Sequence, residues 1–224
     1  ALPEDDVDRG LQRTVRDAPR GIDLKAVSRI TVIGERAQVR AALRAWLAQA
    51  VIWHDTTSLG VALASPELES PDWAWLKWLP HTDAGGRLDG CGPARHLAPS
   101  TEDLITALGP ELAHHPHFGA EPAEPHRHLL IVIDDPAQPV QDSVLADGRA
   151  GVTVIEIAGT DAVSRPGRYA DPEQPVLRIA DGTITRWDGE GWQPFVTHAD
   201  QMTQPEITHL ARAVARWDAT PIHR

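Results

Sequence analysis

Two stretches of this chain are apolar almost without interruption, "HLLIVIDD" (128–135) and "GVTVIEIAG" (151–159). A strand with one face in water alternates apolar and polar residues, so a run without alternation belongs where both faces are covered, in the middle of a parallel sheet between helical layers. These segments predict the centre of an α/β sheet. A third run, "RITVIG", ends at Gly34, and the residues after it place Val39, Leu43, Trp46, Leu47, Ala50 and Val51 on one helical face. "LGVALAS" then completes a strand–helix–strand unit, which implies a parallel pair joined by a right-handed crossover.

The remaining segments extend this pattern. "RHLAPS" reads as a strand, and "STEDLITALGPELAHH" as a helix opened by Ser100 and Asp103 at capping-box spacing, with Leu104, Ile105, Leu108 and Leu112 on its apolar face. Pro110 lacks the N–H that a helix interior needs and crowds the preceding turn, so the helix is expected to break there. After Pro175 the texture changes to short alternating segments divided by Asp181-Gly182 and Asp188-Gly189, the turns of an antiparallel meander. A last helix starts at Thr203 with Glu206 completing its box, and turns Ile207, Leu210, Ala211 and Val214 inward. The expected fold is a three-layer α/β domain over residues 29–224 with a mostly parallel central sheet, an antiparallel addition at 175–200 and a C-terminal helix at 203–217. Residues 1–28, with weak apolar marks at Leu11, Val15, Ile22, Leu24 and Val27, read as an arm packed along it.

Composition removes several classes of function. A net charge of −11 opposes binding to a phosphate backbone, which depends on releasing counterions from a basic surface. No apolar run is long enough to insert into a membrane. The single cysteine, Cys91, leaves no disulfide framework and no cysteine-based zinc site, and suits a reducing compartment such as the cytosol; no histidine base stands near it in sequence, and it reads as either inert or reactive. The start, "ALPEDDVDRG", has no Met and looks like the middle of something longer, so an excised domain is expected.

The turn after "RITVIG" is where a phosphate-binding loop would lie, because glycines there let backbone N–H groups and a helix N-terminus face an anion. Here it reads "IGERAQVR": one glycine, Gly34, without the lysine and hydroxyl of a working P-loop, and with Arg36 and Arg40 as the cations placed to meet an anion. "LLIVIDD" has the form of a Walker-B strand, in which Asp134 would hold magnesium and Asp135 would polarise the attacking water. The candidate nucleotide-binding set is therefore Gly34, Arg36, Asp134 and Asp135. Five histidines, His114, His115, His117, His126 and His128, are irregularly spaced, and no metal site is assigned to them.

"SPDWAWLKWLP" holds three tryptophans within six residues. Ser70 suits an N-cap, Pro71 the first helical position, and Pro80 a stop, so about two turns of α-helix are expected. At about 100° per residue Trp75, Trp78 and Leu79 share one arc, the core face, while Trp73 falls opposite beside Lys77. Trp73 and Lys77 are the candidate partner-binding pair, since tryptophan is enriched in interface hot spots.

These strings together, "WAWLKWLPH", "GPARHLAPSTEDLITALGPEL", "HLLIVIDD", "GVTVIEIAG" and "HADQMTQPEITHLARAVARW", with "RITVIGERAQVRAALRAWLAQA", resemble the EccC-type membrane ATPases of the actinobacterial type VII secretion system, relatives of the FtsK/SpoIIIE motors. The resemblance covers nearly the whole chain from about residue 19. It implies the region between membrane helices and three FtsK-like ATPase domains: a degenerate ATPase-like fold at the cytoplasmic face of the cell membrane, coupling neighbouring ATPase domains to the membrane components. It implies Mg–ATP for the complete protein, no cofactor for this region and no nucleic-acid partner. With the P-loop missing, the expected role is non-catalytic; the alternatives are nucleotide binding or hydrolysis through Asp134 and Asp135, and an FtsK-like DNA-binding module.

Overall fold

The two uninterrupted apolar runs lie side by side in the interior of one sheet, paired in parallel. A computed structural model describes residues 20–90, 92–120, 126–138, 140, 143–168 and 174–217. Most of the expected arm, and Cys91, lie outside the described residues. In chain order the elements are β1 (Arg29–Gly34), α1 (Arg36–Trp53), β2 (Leu59–Ala64), β3 (Asp83–Asp89), β4 (Gly92–Arg95), β5 (Leu97–Ala98), α2 (Thr101–Leu112), β6 (His128–Ile133), β7 (Val152–Ala158), β8 (Val176–Ala180), β9 (Thr183–Trp187), β10 (Trp192–Val196) and α3 (Gln204–Val214).

The main sheet runs β10-β9-β8-β1-β7-β6-β2-β5. From β8 to β5 all pairs are parallel, and β9 and β10 add the antiparallel meander. The β8–β9 turn sits at Asp181 and Gly182, with φ of 50° and 72°, the left-handed pair of a two-residue hairpin whose twist matches its strands. β1 and β2 are parallel but are not neighbours, since β7 and β6 lie between them. The strands without alternation take the positions covered on both faces. β2 moves outward, where the side facing α2 is only Gly60, Ala62 and Ala64.

Helices cover both faces. On one, Val32, Leu130, Val132 and Ile155 pack against Leu43 and Leu47 of α1 and Ile207 of α3; on the other, Leu129, Ile131 and Ile133 pack against Leu104, Leu108 and Leu112 of α2. Each such side chain, when fully buried, contributes about 1.5–3 kcal/mol. The caps form as the sequence implies: Ser100 accepts from the Asp103 N–H, and Thr203 and Glu206 make a complete box. The expected break at Pro110 does not occur, and α2 runs through to Leu112. Pro110 falls in the last turn, and Thr106, whose carbonyl loses its N–H partner, is exposed and open to water. β3 and β4 form a separate two-stranded hairpin that the sequence reading does not anticipate, because most of β3 is exposed and carries no apolar alternation.

The tryptophan segment also departs from expectation. It folds as a 3₁₀-helix over Ala74–Trp78, and Ser70 serves through its carbonyl, accepting from Trp73 and Ala74, while its hydroxyl makes no cap. Ala74 makes one α-type bond to Ser70, but Leu76 bonds Trp73 and Leu79 bonds Leu76, so the segment tightens into i to i+3 bonding. Trp73 precedes the helix, so helical arithmetic does not apply to it. It is 1% exposed, as buried as Trp75 at 2%, whereas Trp78 is 40% exposed under the Arg212 guanidinium.

Urea unfolding should therefore show Trp73→Ala and Trp75→Ala each losing about 3–5 kcal/mol. Trp78→Ala should lose about 1 kcal/mol or less; equal losses at all three sites would contradict this placement. Acid should weaken the fold from about pH 6.5 downward. Burial lowers the imidazole pKa of His81, His96, His115 and His128, the last from 6.5 to about 4. The unfolded chain binds the His128 proton below its ordinary pKa while the folded chain does not, so stability is full above about pH 6.5 and falls towards pH 4, by up to about 1.4 kcal/mol per pH unit for each proton. Urea midpoints across pH 4–7 should show the slope, and His128→Gln should reduce it.

Candidate functional site at the carboxyl ends of the strands

In open parallel sheets a ligand crevice forms beyond the carboxyl ends of the strands. β1 ends there at Gly34, and β6 ends there with Asp134 and Asp135 following it. One strand, β7, separates them, so the gap is two strand spacings, about 10 Å. α1 leaves β1 and spans that gap, carrying Arg36, Arg40 and Arg44 at i, i+4 and i+8 on one stripe.

Asp134 has no solvent exposure. Its Oδ2 accepts from Arg40 Nε at 2.9 Å, Arg40 Nη2 at 2.6 Å and the Trp73 indole Nε1 at 2.9 Å. Arg36 Nε stands 3.4 Å from Oδ1. Arg40 Nη1 reaches Glu67 at 2.8 Å and Asp72 at 2.9 Å. Asp72 Oδ1 accepts in turn from Arg44 Nη1 at 2.9 Å and Gln204 Nε2 at 2.6 Å, while Arg44 Nε donates to the Met202 carbonyl at 2.7 Å. Three guanidiniums thus face three carboxylates in one network.

Burial opposes the charge on Arg40, but its bonds to Glu67, Asp134 and Asp72 outweigh burial and raise its pKa. Burial lowers the pKa of Arg44, with Asp72 working against that shift. Arg40 holds the Glu67 carboxyl below its ordinary range. For Asp72 burial pulls upward, and Gln204 and the two arginines prevail to lower it.

The sequence-derived candidates therefore have different fates. Arg36 and Asp134 come together. Asp135 turns away: its Oδ2 accepts from the Thr101 N–H at 3.0 Å and hydroxyl at 3.3 Å at the start of α2, and its Oδ1 accepts from the Ala137 N–H at 3.1 Å. Gly34 is where β8 passes closest, since a Cβ there would lie 2.7 Å from the Ile179 carbonyl oxygen. Trp73 and Lys77 line one shallow pocket but differ in exposure: Lys77 is exposed, while Trp73 is buried with its indole N–H on Asp134. The expectation of Trp73 at the surface is corrected, because a carboxylate with no access to water needs donors and the indole N–H is one of them. Of the histidines, His115 Nδ1 lies 2.8 Å from the Ala150 carbonyl and His128 Nε2 lies 3.0 Å from the Thr153 hydroxyl. Among the described residues no His, Cys, Asp and Glu group is placed to hold a metal ion.

Sequence reading missed Arg44, Glu67, Asp72 and Gln204. The available signal was the arginine stripe, whose second and third members interrupt an otherwise apolar helical surface. Chemically the two oxygens of Asp134 differ: Oδ2 accepts three donors, while Oδ1 accepts no hydrogen bond and lies 3.4 Å from the Arg36 guanidinium. Arg40→Met should cost about 3–5 kcal/mol in urea unfolding by stranding a buried carboxylate, and the double variant Arg40→Met/Asp134→Leu should recover most of that loss.

No protein-family model matches the chain. Over 214 residues, 95% of its length, it is 57% identical to ESX-3 secretion system protein EccC3 of Mycobacterium tuberculosis (strain CDC 1551 / Oshkosh). Over 207 residues, 90% of its length, it is 37% identical to ESX secretion system protein EccC of Thermomonospora curvata. These matches take in 16% and 15% of the relatives, so the chain spans about a sixth of the length of the curated relatives it matches. In fold it is similar to the cytoplasmic domain of the Thermomonospora curvata type VII secretion ATPase EccC, with a TM-score of 0.54 at 11% identity over 83% of this chain and 25% of that one. It is also similar to ATPases 2 and 3 of that EccC, solved in complex with a signal sequence peptide, with a TM-score of 0.53 at 10% identity over 83% of this chain and 39% of that one. The mostly parallel sheet with its antiparallel addition is thus an EccC ATPase-like fold, and the chain belongs to the EccC family of type VII secretion proteins, matching one segment of its members.

Proposed function

We propose that this chain is a non-catalytic coupling and scaffold domain of an EccC-type secretion ATPase. It stands at the cytoplasmic face of the cell membrane, between the membrane helices and the ATPase domains, and contributes to protein export by linking neighbouring ATPase domains to other type VII secretion components. The observation that carries this reading is the engagement of Asp134: the carboxylate in the Walker-B position is fully buried and held by Arg40 and Trp73. Magnesium is held by the negative charge of its carboxylates, and the Arg40 and Arg36 guanidiniums already neutralise this one, although its Oδ1 accepts no hydrogen bond. Mg–ATP is then a cofactor of the complete protein and not of this domain. No helix of the described residues is long and apolar enough to cross a membrane, and the net charge of −11 disfavours a DNA-binding role.

One observation favours a second reading, nucleotide binding without a P-loop lysine. Arg36 stands in the first turn of α1 with 34% of its side chain exposed, beside the backbone amides that follow Gly34. Calorimetric titration of the chain with Mg–ATP, with a turnover assay, separates the two. The coupling role predicts no saturable heat and no hydrolysis. Saturable binding lost in Arg36→Gln, with hydrolysis lost in Asp134→Ala, would establish the second reading in its place.

A further inference from the structure

We propose that the cleft between the β3–β4 hairpin and α2 is a binding site for a carboxylate carried on a short apolar body. The cleft measures about 370 Å³. It lies by Arg127, just before β6 begins, and so at the end of the sheet opposite Asp134, and it is independent of the coupling role above.

Three features make it a built site. The first is His96, which lines the cleft at 4% exposure with its backbone pinned between the Thr82 carbonyl and the Leu63 N–H. Its Nδ1 has no hydrogen-bond partner, and the facing Glu111 Oε2 is 3.7 Å away, beyond hydrogen-bond reach. A buried polar nitrogen left unpaired is unfavourable, which points to a group that enters and meets it.

The second is charge. Glu111 is already neutralised by a two-pronged Arg127 fork at 2.7 and 3.0 Å. Arg87, on the hairpin side, is exposed, and its hydrogen bond is a long one, 3.4 Å to the Ala107 carbonyl. Asp83 and Glu111 balance the two guanidiniums in number, but Arg127 is engaged by Glu111, whereas Arg87 makes no ion pair among the described residues and is the guanidinium open to an anion. Burial lowers the His96 pKa, Glu111 and Asp83 oppose that shift and Arg127 and Arg87 reinforce it, with His114 lining the same cleft, and Arg87 remains the charge that an anion meets. A metal cation would meet the same two guanidiniums and be repelled.

The third is the wall. Ala84, Ala107 and Pro110 present an apolar surface beside the charge. That combination suits a monovalent carboxylate with a short hydrocarbon body better than a compact, doubly charged phosphate.

The test follows the His96 ring by NMR in the full chain, with the resonance assigned through His96→Gln. Hexanoate, hexanol and inorganic phosphate are titrated at constant ionic strength. Hexanoate should shift the ring signals saturably and raise the pH at which the ring protonates, because a bound anion favours the charged imidazole. Phosphate should act more weakly, and hexanol should leave that pH unchanged. Arg87→Gln, at an exposed hairpin position, should weaken hexanoate about tenfold, the usual scale for one charge-assisted hydrogen bond. No saturable response to hexanoate would overturn the proposal. So would an equal response to hexanol, tighter binding of phosphate than of hexanoate, or affinity for hexanoate unchanged in Arg87→Gln.

Discussion

The buried contact between Arg40 and Asp134 is the constraint on which the arrangement of one whole face depends. Both groups are removed from water, and an ion in that position must be paired and hydrogen-bonded or the structure rearranges. Meeting this demand sets the rotation of α1 about its axis, because the guanidinium must lie over the end of β6. It also draws the Trp73 indole inward, and with it the connection after β2. Asp72 then bridges Arg40 to Arg44, and Gln204 and the Met202 carbonyl attach the start of α3 to the same network. Such a pair is not a large net source of stability, since desolvation opposes the Coulomb attraction. Its effect is selective: any other docking of α1 leaves two charges stranded.

The same contact sits where a nucleotide hydrolase would do its chemistry. A fold of this kind provides a strand ending in a carboxylate and a helix beginning nearby; whether that geometry binds a nucleotide depends on what fills the space between them. In this chain the filling is arginine from the chain itself. Asp135 is similarly committed, joining the end of β6 to the first turn of α2. The acidic pair thus serves internal cohesion, in keeping with the proposed coupling and scaffold role.

How much was legible in the sequence differs by element. The runs that became β6 and β7 announced their central position by lacking alternation, and the spacing of Leu43, Leu47 and Val51 announced the buried face of α1. Ser100, Thr203 with Glu206, and Asp181-Gly182 act within four residues of themselves, and each was readable. Trp73 was misplaced because the arithmetic assumed 100° per residue through a segment that is a 3₁₀-helix, and because the residue lies outside that helix. The β3–β4 hairpin was invisible, since an exposed ribbon has no apolar pattern to display.

The sequence by itself thus determined the class of fold, the identity of the central strands, the helix caps and the family, because all of these are carried by local periodicity, by side chains bonding to nearby backbone, or by strings of residues. Only the tertiary structure decided the partners. Arg40 and Asp134 are 94 residues apart, and Asp72 and Gln204 are 132 apart, so no local pattern relates them. β1 and β2 are separated by strands that come later in the chain. Which charge neutralises which is settled only when burial removes water as the alternative partner, and that is a property of the packed layers.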